Sequence, residues 1–195
     1  MADISEPALE RSMGRVRQVM GYDIGSRLET IVVDVSKEAD VKKMVDRVDV
    51  WGGVDVMVNN AGIMHADDAD AVDTTEKIWD LTQAINVKGV WFGSKYAILS
   101  MRKHKKTKGS IINTASVVAL VGSATPQLAY TASKGAVLAM TRELAIVHAR
   151  EGEHRNMDVS RSYLDALLQD SGSILCVRHR SSGFPLGQYH MCRPS

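Results

Sequence analysis

A short β-branched and apolar run, Ser110 to Thr114, is followed by a long segment with helical spacing. The run has little helical periodicity, which predicts a strand buried on both faces of a sheet. In the segment that follows, apolar residues between Ala136 and Leu144 recur at steps of three and four residues. That spacing predicts a helix with one apolar face. A buried strand that leads into an amphipathic helix indicates an α/β protein.

Tyr130 and Lys134 lie four residues apart in the predicted helix and therefore share a face. A free phenol ionises near pH 10, and an ammonium one turn away favours the phenolate form. The pair is thus a candidate general acid and base. Ser116 follows the predicted strand and is placed to hydrogen-bond the oxygen of a carbonyl or alcohol. Taken alone, the pair also fits an exposed aromatic residue and a solvated charge.

Two further motifs accompany this pair. The segment Asn59-Asn60-Ala61-Gly62 follows a predicted strand, and Asn86 opens a predicted helix. Together with Ser116, Tyr130 and Lys134, in this order and near these spacings, they resemble the classical short-chain dehydrogenase/reductase family. Members of that family carry a strand followed by NNAG, then an Asn, a Ser and YxxxK.

The resemblance covers Ala2 to about Gly152 and implies a Rossmann-type α/β fold with a doubly wound parallel sheet. The order of predicted elements agrees with this, because strands at 28–35, 54–58 and 110–114 alternate with helices and favour right-handed crossovers. Compared with the family, the fold is expected to be incomplete. The first strand and its Gly-rich phosphate loop are missing, since no GxxxGxG occurs in the chain. The last strands are not recognisable.

The resemblance implies a role for each matching catalytic residue. Tyr130 would take the hydroxyl proton as hydride passes to the nicotinamide, or donate it in the reverse reaction. Lys134 would favour the phenolate and hold the nicotinamide ribose, and Ser116 would bind the substrate oxygen. Asn86 would hold a water that links Lys134 to solvent.

The resemblance also implies a cofactor site, with NAD favoured over NADP. Asp3 would bind the adenosine ribose and repel a 2′-phosphate, and Asp34 would bind the adenine amino group. Asn60, Ala61 and Gly62 would line the adenosine side. From the residues alone, Asp3 also fits a solvated position near a helix start, and Asp34 also fits a turn.

Composition and charge exclude several other functions. The net charge of +1 is not the signature of a nucleic-acid partner, and the basic run 102–108 fits a solvated helix end. No apolar run approaches the length that spans a membrane. The acidic segment 65–74 is predicted to be a solvated loop and not a metal site, because its carboxylates lack the EF-hand spacing. Two cysteines, Cys176 and Cys192, make a disulfide framework improbable, and a cytoplasmic location is expected.

The character of the chain changes after about residue 152. We predict a partial dinucleotide-binding domain at 1–152 and a tail at 153–195 that is unlike the family and poorly ordered. The tail fits a frameshifted or mis-spliced product, and the missing first strand fits a wrong start. The other interpretation is a genuine divergent C-terminus.

The sequence therefore predicts an NAD-dependent oxidoreductase that interconverts a small-molecule alcohol and a carbonyl. One alternative is a catalytically inactive remnant that retains at most dimerisation, and another is a dehydratase or epimerase with the same Tyr/Lys pair. In the resembled family the two long helices, here about 87–104 and 130–150, pair between subunits. A homo-oligomer formed through these helices is therefore expected.

Overall fold

A computed structural model describes residues 1–20, 27–106, 108–148, 156–158 and 175–177 of the chain. Six strands and five helices follow one another within these ranges. In chain order they are β1 (Ala2–Asp3), α1 (Glu6–Met20), β2 (Ile31–Val32), α2 (Glu38–Asp49), β3 (Val56–Asn59), α3 (Glu76–Gln83), α4 (Gly89–Lys103), β4 (Lys108–Asn113), α5 (Leu128–His148), β5 (Asn156–Asp158) and β6 (Leu175–Val177). A π-helical turn, Ala84–Lys88, joins α3 to α4, and a 3-10 turn, Val117–Ala119, follows β4.

The strands form two sheets, and every pair of neighbouring strands is parallel except β3 and β6. One sheet pairs β1 with β2, and the other has the order β5-β4-β3-β6. Strands β3 and β4 are parallel and in register, with Val56 opposite Ser110 and Asn59 opposite Asn113. Helix α1 lies between β1 and β2 in the chain, and α3 and α4 lie between β3 and β4. The predicted Rossmann-type α/β class and its incompleteness are confirmed.

Strand β2 is shorter than the predicted strand at 28–35. Its ladder with β1 runs from Ile31 N, which donates to Met1 O, to Val33 N, which donates to Asp3 O. Strand β1 has only two residues, Ala2 and Asp3, so the ladder can extend no further in that direction. The length of β2 is therefore set by its partner strand and not by its own apolar run.

Two strands lie in the tail, where the sequence showed none. Asn156–Asp158 pairs parallel with β4, and Leu175–Val177 pairs antiparallel with β3. A three-residue strand is too short for its periodicity to be recognised in a sequence. These two strands form because β3 and β4 each present an unpaired edge. Apart from these six residues, the predicted poorly ordered tail lies outside the described residues.

One hydrophobic core unites both sheets. It joins Met57 of β3, Ile111 of β4 and Val33, which directly follows β2, to side chains of α2 and α4. Among these side chains are Val41 and Phe92. Among the described residues, no helix carries an apolar stretch long enough to cross a bilayer. The core thus holds the carboxyl ends of β3 and β4 against α4, and those ends carry the candidate site.

Candidate active site

The carboxyl ends of β3 and β4 bring the NNAG segment beside the segment that leads to Ser116. Thr114 N donates to Asn59 O over 3.0 Å, and Thr114 Oγ1 donates to Asn60 Oδ1 over 3.0 Å. Parallel strands end at the same edge of a sheet, which is where α/β proteins place their sites. The two sequence motifs are therefore in direct contact, although more than fifty residues separate them.

The first residue of the NNAG segment, Asn59, ties this edge to two helices. Its buried Nδ2 donates to Asn113 Oδ1 at 2.8 Å and to Ser94 Oγ of α4 at 3.2 Å. Asn113 Nδ2 in turn donates to Thr141 Oγ1 of α5 over 3.0 Å. A Cβ atom on Gly93 would collide with Asn59 Oδ1, so only glycine permits this approach of α4. Asn59 thus has a structural role.

Tyr130 and Lys134 share one face of α5, as their spacing predicts. Lys134 Nζ lies 5.6 Å from the centroid of the Tyr130 ring and donates to Thr114 O over 2.8 Å. Lys134 is only 5 % exposed. This burial disfavours the ammonium form and lowers the pKa of Lys134 from 10.5 to about 8. The amine can therefore gain or lose a proton close to neutral pH.

Gly62 passes directly over this amine. An ideal Cβ on Gly62 would lie 3.5 Å from Lys134 Nζ and 3.3 Å from Asn86 Oδ1. Gly62 itself is exposed, so the backbone of the NNAG segment meets solvent beside the buried amine of Lys134. Ala61 is half-buried and packs against the core.

Asn86 is fully buried between the NNAG segment and α5. Its Oδ1 accepts from Ile63 N, and its Nδ2 donates to Ile63 O, each over 2.8 Å. Nδ2 also donates to Ser133 Oγ over 3.0 Å, and Ser133 Oγ donates to Tyr130 O over 2.7 Å. Both N–H groups of the amide are therefore engaged. A relay water would have to bind the second lone pair of Oδ1 or a backbone carbonyl.

The prediction that Asn86 opens a helix is wrong. Asn86 lies inside a continuous helical stretch, in the π-helical turn Ala84–Lys88 that joins α3 to α4. Turns of this kind occur mostly as single-turn insertions within α-helices, and they are frequent at functional sites. The buried contacts of Asn86 with Ile63 and Ser133 accompany this turn, and neither contact is visible in the local sequence.

Ser116 follows β4 and caps the 3-10 turn Val117–Ala119. It is half-buried, and its Oγ accepts from Val118 N over 3.5 Å, a long contact that leaves the hydroxyl proton to another acceptor. The turn packs against α5. The structure thus brings Ser116, Tyr130, Lys134 and Gly62 to the same edge of the sheet.

The two predicted adenosine contacts lie on the other sheet and make local turns. Asp3 is buried at the end of β1, not solvated, and its Oδ1 accepts from Ser5 N over 2.8 Å. Asp34 Oδ1 accepts from Ser36 N at 3.0 Å and Ser36 Oγ at 2.6 Å, and Oδ2 lies 3.2 Å from Lys37 Nζ. Partial burial opposes ionisation of Asp34, but these hydrogen bonds outweigh it and lower its pKa. The cofactor roles of Asp3 and Asp34 stay predictions.

Sequence reasoning missed two residues at this site. Ser133 is completely buried, and its position three residues after Tyr130, on the same helical face, was a usable signal. Asp68 is 8 % exposed, so the prediction of a solvated loop at 65–74 is wrong at this residue. No local pattern distinguishes Asp68 from its neighbours. Within the described ranges, no group of three or more metal-ligating side chains occurs.

Comparisons with known proteins support the family and the fold. A family model described as enoyl-(acyl carrier protein) reductase matches residues 2–181. A 3β-hydroxysteroid dehydrogenase 2 from Eggerthella lenta is 35% identical over 152 residues, 77% of this chain and 55% of the relative. A (+)-borneol dehydrogenase 2 from Salvia officinalis is 43% identical over 122 residues, 62% of this chain and 41% of the relative. The chain spans about half the length of these relatives.

Solved structures also resemble this chain. A short-chain dehydrogenase/reductase from Burkholderia phymatum in complex with NAD is 27% identical, with a TM-score of 0.69 over 80% of this chain and 53% of that one. ElxO with NADP bound is 26% identical, with a TM-score of 0.66 over 77% of this chain and 58% of that one. The predicted division into a partial dinucleotide-binding domain at 1–152 and a tail at 153–195 stays a prediction. With a family model matched over most of its length, this chain belongs to the short-chain dehydrogenase/reductase family.

Proposed function

We propose that the protein is an NAD-dependent oxidoreductase that interconverts a small-molecule alcohol and a carbonyl. The observation that carries this proposal is the buried amine of Lys134, 5.6 Å from the Tyr130 ring and directly below Gly62. A relative from Serratia marcescens is named meso-2,3-butanediol dehydrogenase, and together with the hydroxysteroid and borneol dehydrogenases it supports an alcohol as the substrate class.

The residues present fit a nicotinamide cofactor at this edge. Lys134 Nζ uses one of its three N–H donors on Thr114 O, which leaves two donors for the vicinal hydroxyls of a ribose. Because position 62 is a glycine, no Cβ atom crowds Lys134 Nζ or Asn86 Oδ1. When bound, the cofactor would supply or accept the hydride.

Tyr130 is the proposed acid and base. In the oxidation direction its oxygen takes the hydroxyl proton of the alcohol, and in reduction it returns that proton to the carbonyl oxygen. Lys134, when protonated, stabilises the negative charge that develops on the phenol oxygen. Ser116 donates its hydroxyl proton to the substrate oxygen and so orients it. Asn86 supports the site through its contacts with Ile63 and Ser133.

Preference for NAD over NADP is proposed to come from Asp3. A carboxylate at the end of β1 would repel the 2′-phosphate of NADP. Similar structures are known with each cofactor, so the family alone does not select one. Replacing Asp3 by Ser should raise the relative affinity for NADPH, measured by fluorescence titration with both reduced cofactors.

A homo-oligomer is proposed to form through the two long helices. Helices α4 and α5 expose the apolar side chains Trp91, Leu99, Ile146 and Val147. Large apolar side chains that are exposed on long helices are candidates for burial at a protein interface. Sedimentation velocity would decide the oligomeric state, and a Trp91→Glu variant should shift it towards the monomer.

The second candidate function is an inactive remnant. It is favoured by the absence of a GxxxGxG phosphate loop from the whole sequence, since that loop holds the pyrophosphate in dinucleotide-binding folds. Titration with NADH separates the two candidates. Saturable enhancement of nicotinamide fluorescence, lost in Lys134→Met, supports the oxidoreductase. No binding at millimolar NADH supports the remnant.

A further inference from the structure

Asp68 lies in the segment between β3 and α3, and its carboxylate faces the first turn of α5. Oδ1 accepts from Ala129 N over 3.0 Å, and Oδ2 accepts from Tyr130 N over 2.8 Å. Thr74 Oγ1 donates to Oδ1 over 3.3 Å and orients the carboxylate. The N–H groups of a helical first turn have no partners within the helix, so an external acceptor must satisfy them.

Two further contacts fix this turn from outside. Leu128 N donates to Ala69 O over 2.9 Å, and Gln83 Nε2 of α3 donates to Ala129 O over 3.0 Å. The first three N–H groups of α5 therefore all bond to the segment that carries Asp68. Both N–H and C=O of Ala129 are held by other parts of the chain.

The position of Tyr130 makes these contacts relevant to catalysis. Tyr130 is the third residue of α5, at the end that would fray, whereas Lys134 lies one turn further in and is fixed by Thr114. Fraying would therefore move Tyr130 relative to Lys134 and Ser116. A misplacement of about 1 Å at a reacting group can cost on the order of 100-fold in rate.

We propose that Asp68 is a positioning residue that holds the first turn of α5, and with it Tyr130, in register with Lys134. The proposal rests on the proposed oxidoreductase function for its catalytic consequence, but not for its geometry. A carboxylate is required because each of its oxygens accepts one backbone N–H. An asparagine would turn its NH₂ group towards one of those N–H donors. The negative charge also suits a helix N-terminus.

The first test is the activity of Asp68→Asn with Asp67→Asn as the matched control. The Asp67 side chain is 80% exposed, and the control removes the same charge from the same loop. Asp68→Asn should lower kcat by about 10- to 100-fold, as expected for a displaced reacting group, with the KM for NAD within about threefold. Asp67→Asn should match the parent. A folded Asp68→Asn protein with a kcat within about twofold of the parent would overturn the proposal.

A second readout does not depend on turnover. In protein labelled with ¹³C-tyrosine, the ring resonance of Tyr130 is assigned by its loss in Tyr130→Phe. It should shift in Asp68→Asn and stay in place in Asp67→Asn. Amide exchange at Ala129 and Tyr130 should accelerate at least about tenfold, with no change at the buried Thr141. An unchanged ring resonance and unchanged exchange would overturn the proposal. A parent chain without turnover would refute the proposed function and leave this readout to decide the role of Asp68.

A milder variant covers the case in which Asp68→Asn does not fold. Thr74→Val removes the hydroxyl that donates to Asp68 Oδ1 and accepts from Ala69 N, and it leaves the carboxylate of Asp68 in place. It should lower kcat by about 3- to 10-fold and move the Tyr130 resonance in the same direction. A Thr74→Val protein with the parent's kcat and the parent's Tyr130 resonance would contradict the proposal.

Discussion

The two sheets of this molecule hold their functional side chains by different means. At the ends of β3 and β4, buried amides and hydroxyls bond across the chain, from Asn59 to Asn113 and from Asn113 to Thr141. At the ends of β1 and β2, the carboxylates of Asp3 and Asp34 bond to residues two positions away. The proposed catalytic edge is therefore held by tertiary contacts, whereas Asp3 and Asp34 at the proposed cofactor edge make local turns.

Because of this difference, substitutions at the two edges should differ in how much they lower the free energy of unfolding. A change in the buried network of the β3–β4 edge should cost folding free energy, because each lost partner leaves another buried polar group unsatisfied. A change at the partly exposed Asp34 of the β1–β2 edge should cost little stability. Substitutions at the two edges test this directly.

The largest effect is expected at Tyr130. Tyr130→Phe removes the proposed acid and base while leaving the ring against Lys134, so kcat should fall by about 10²- to 10⁴-fold. NADH affinity and the unfolding midpoint should stay near those of the parent. Steady-state kinetics, NADH fluorescence titration and urea unfolding measure these three quantities. A kcat within tenfold of the parent would refute the role of Tyr130, and Tyr96→Phe serves as a control for loss of a phenol elsewhere.

The next largest effect concerns the buried charge of Lys134. Because its pKa is about 8 in the folded protein and 10.5 ordinarily, the unfolded chain binds more protons between these values, and stability rises with pH there. Below about pH 8 the buried charge costs at most about 3 kcal/mol. Lys134→Met should therefore be more stable than the parent at pH 7, by less than that amount because the bond to Thr114 is lost.

Urea unfolding at pH 7 and pH 10 tests this prediction. The stability advantage of Lys134→Met should shrink at the higher pH, where the parent amine is neutral. Lys88→Met, at an exposed position in the adjoining turn, should show no such pH dependence. An advantage that is the same at both values would contradict the lowered pKa.

Asn113→Ala should destabilise the protein by about 1–3 kcal/mol, because Asn59 Nδ2 loses one of its two buried acceptors and Thr141 Oγ1 loses its buried donor. The urea midpoint measures the loss. Asn60→Ala, which removes a half-buried acceptor of Thr114 Oγ1 at the same edge, is the matched control and should cost less. Equal losses of stability in the two variants would contradict the idea that burial of the network makes its loss more costly.

The smallest effect is expected at Asp34. Asp34→Ala removes local bonds to Ser36 and a partly exposed pair with Lys37, so the loss of stability should be about 1 kcal/mol or less. The pKa of Asp34 is lowered in the folded state, so this contribution is present at neutral pH and is lost as pH falls through that pKa. Urea unfolding of parent and variant at pH 7 and pH 3 should show the difference vanish in acid. A loss of stability above about 2 kcal/mol would show that the two edges do not differ in the cost of losing a polar side chain.

Much of the candidate site was predictable because its key spacings are local. The four-residue step from Tyr130 to Lys134 places both on one face of any α-helix, and the apolar run before Ser116 predicts the strand that carries it. The position of Asn86 was predictable, but the π-helical turn around it was not. Such a turn depends on contacts with Ile63 and Ser133, which are distant in the sequence.

The sequence by itself determined the order of strands and helices, the family, and the pairing of a phenol with an amine on one helical face, because these follow from periodicity and short spacings. The tertiary structure alone decided that Asp68 is buried against α5, that Asn59 and Asn113 are bonded, and that short tail segments join the sheet. Those features join residues far apart in the chain. Whether a polar side chain is solvated or buried depends on which distant donor or acceptor folding brings to it.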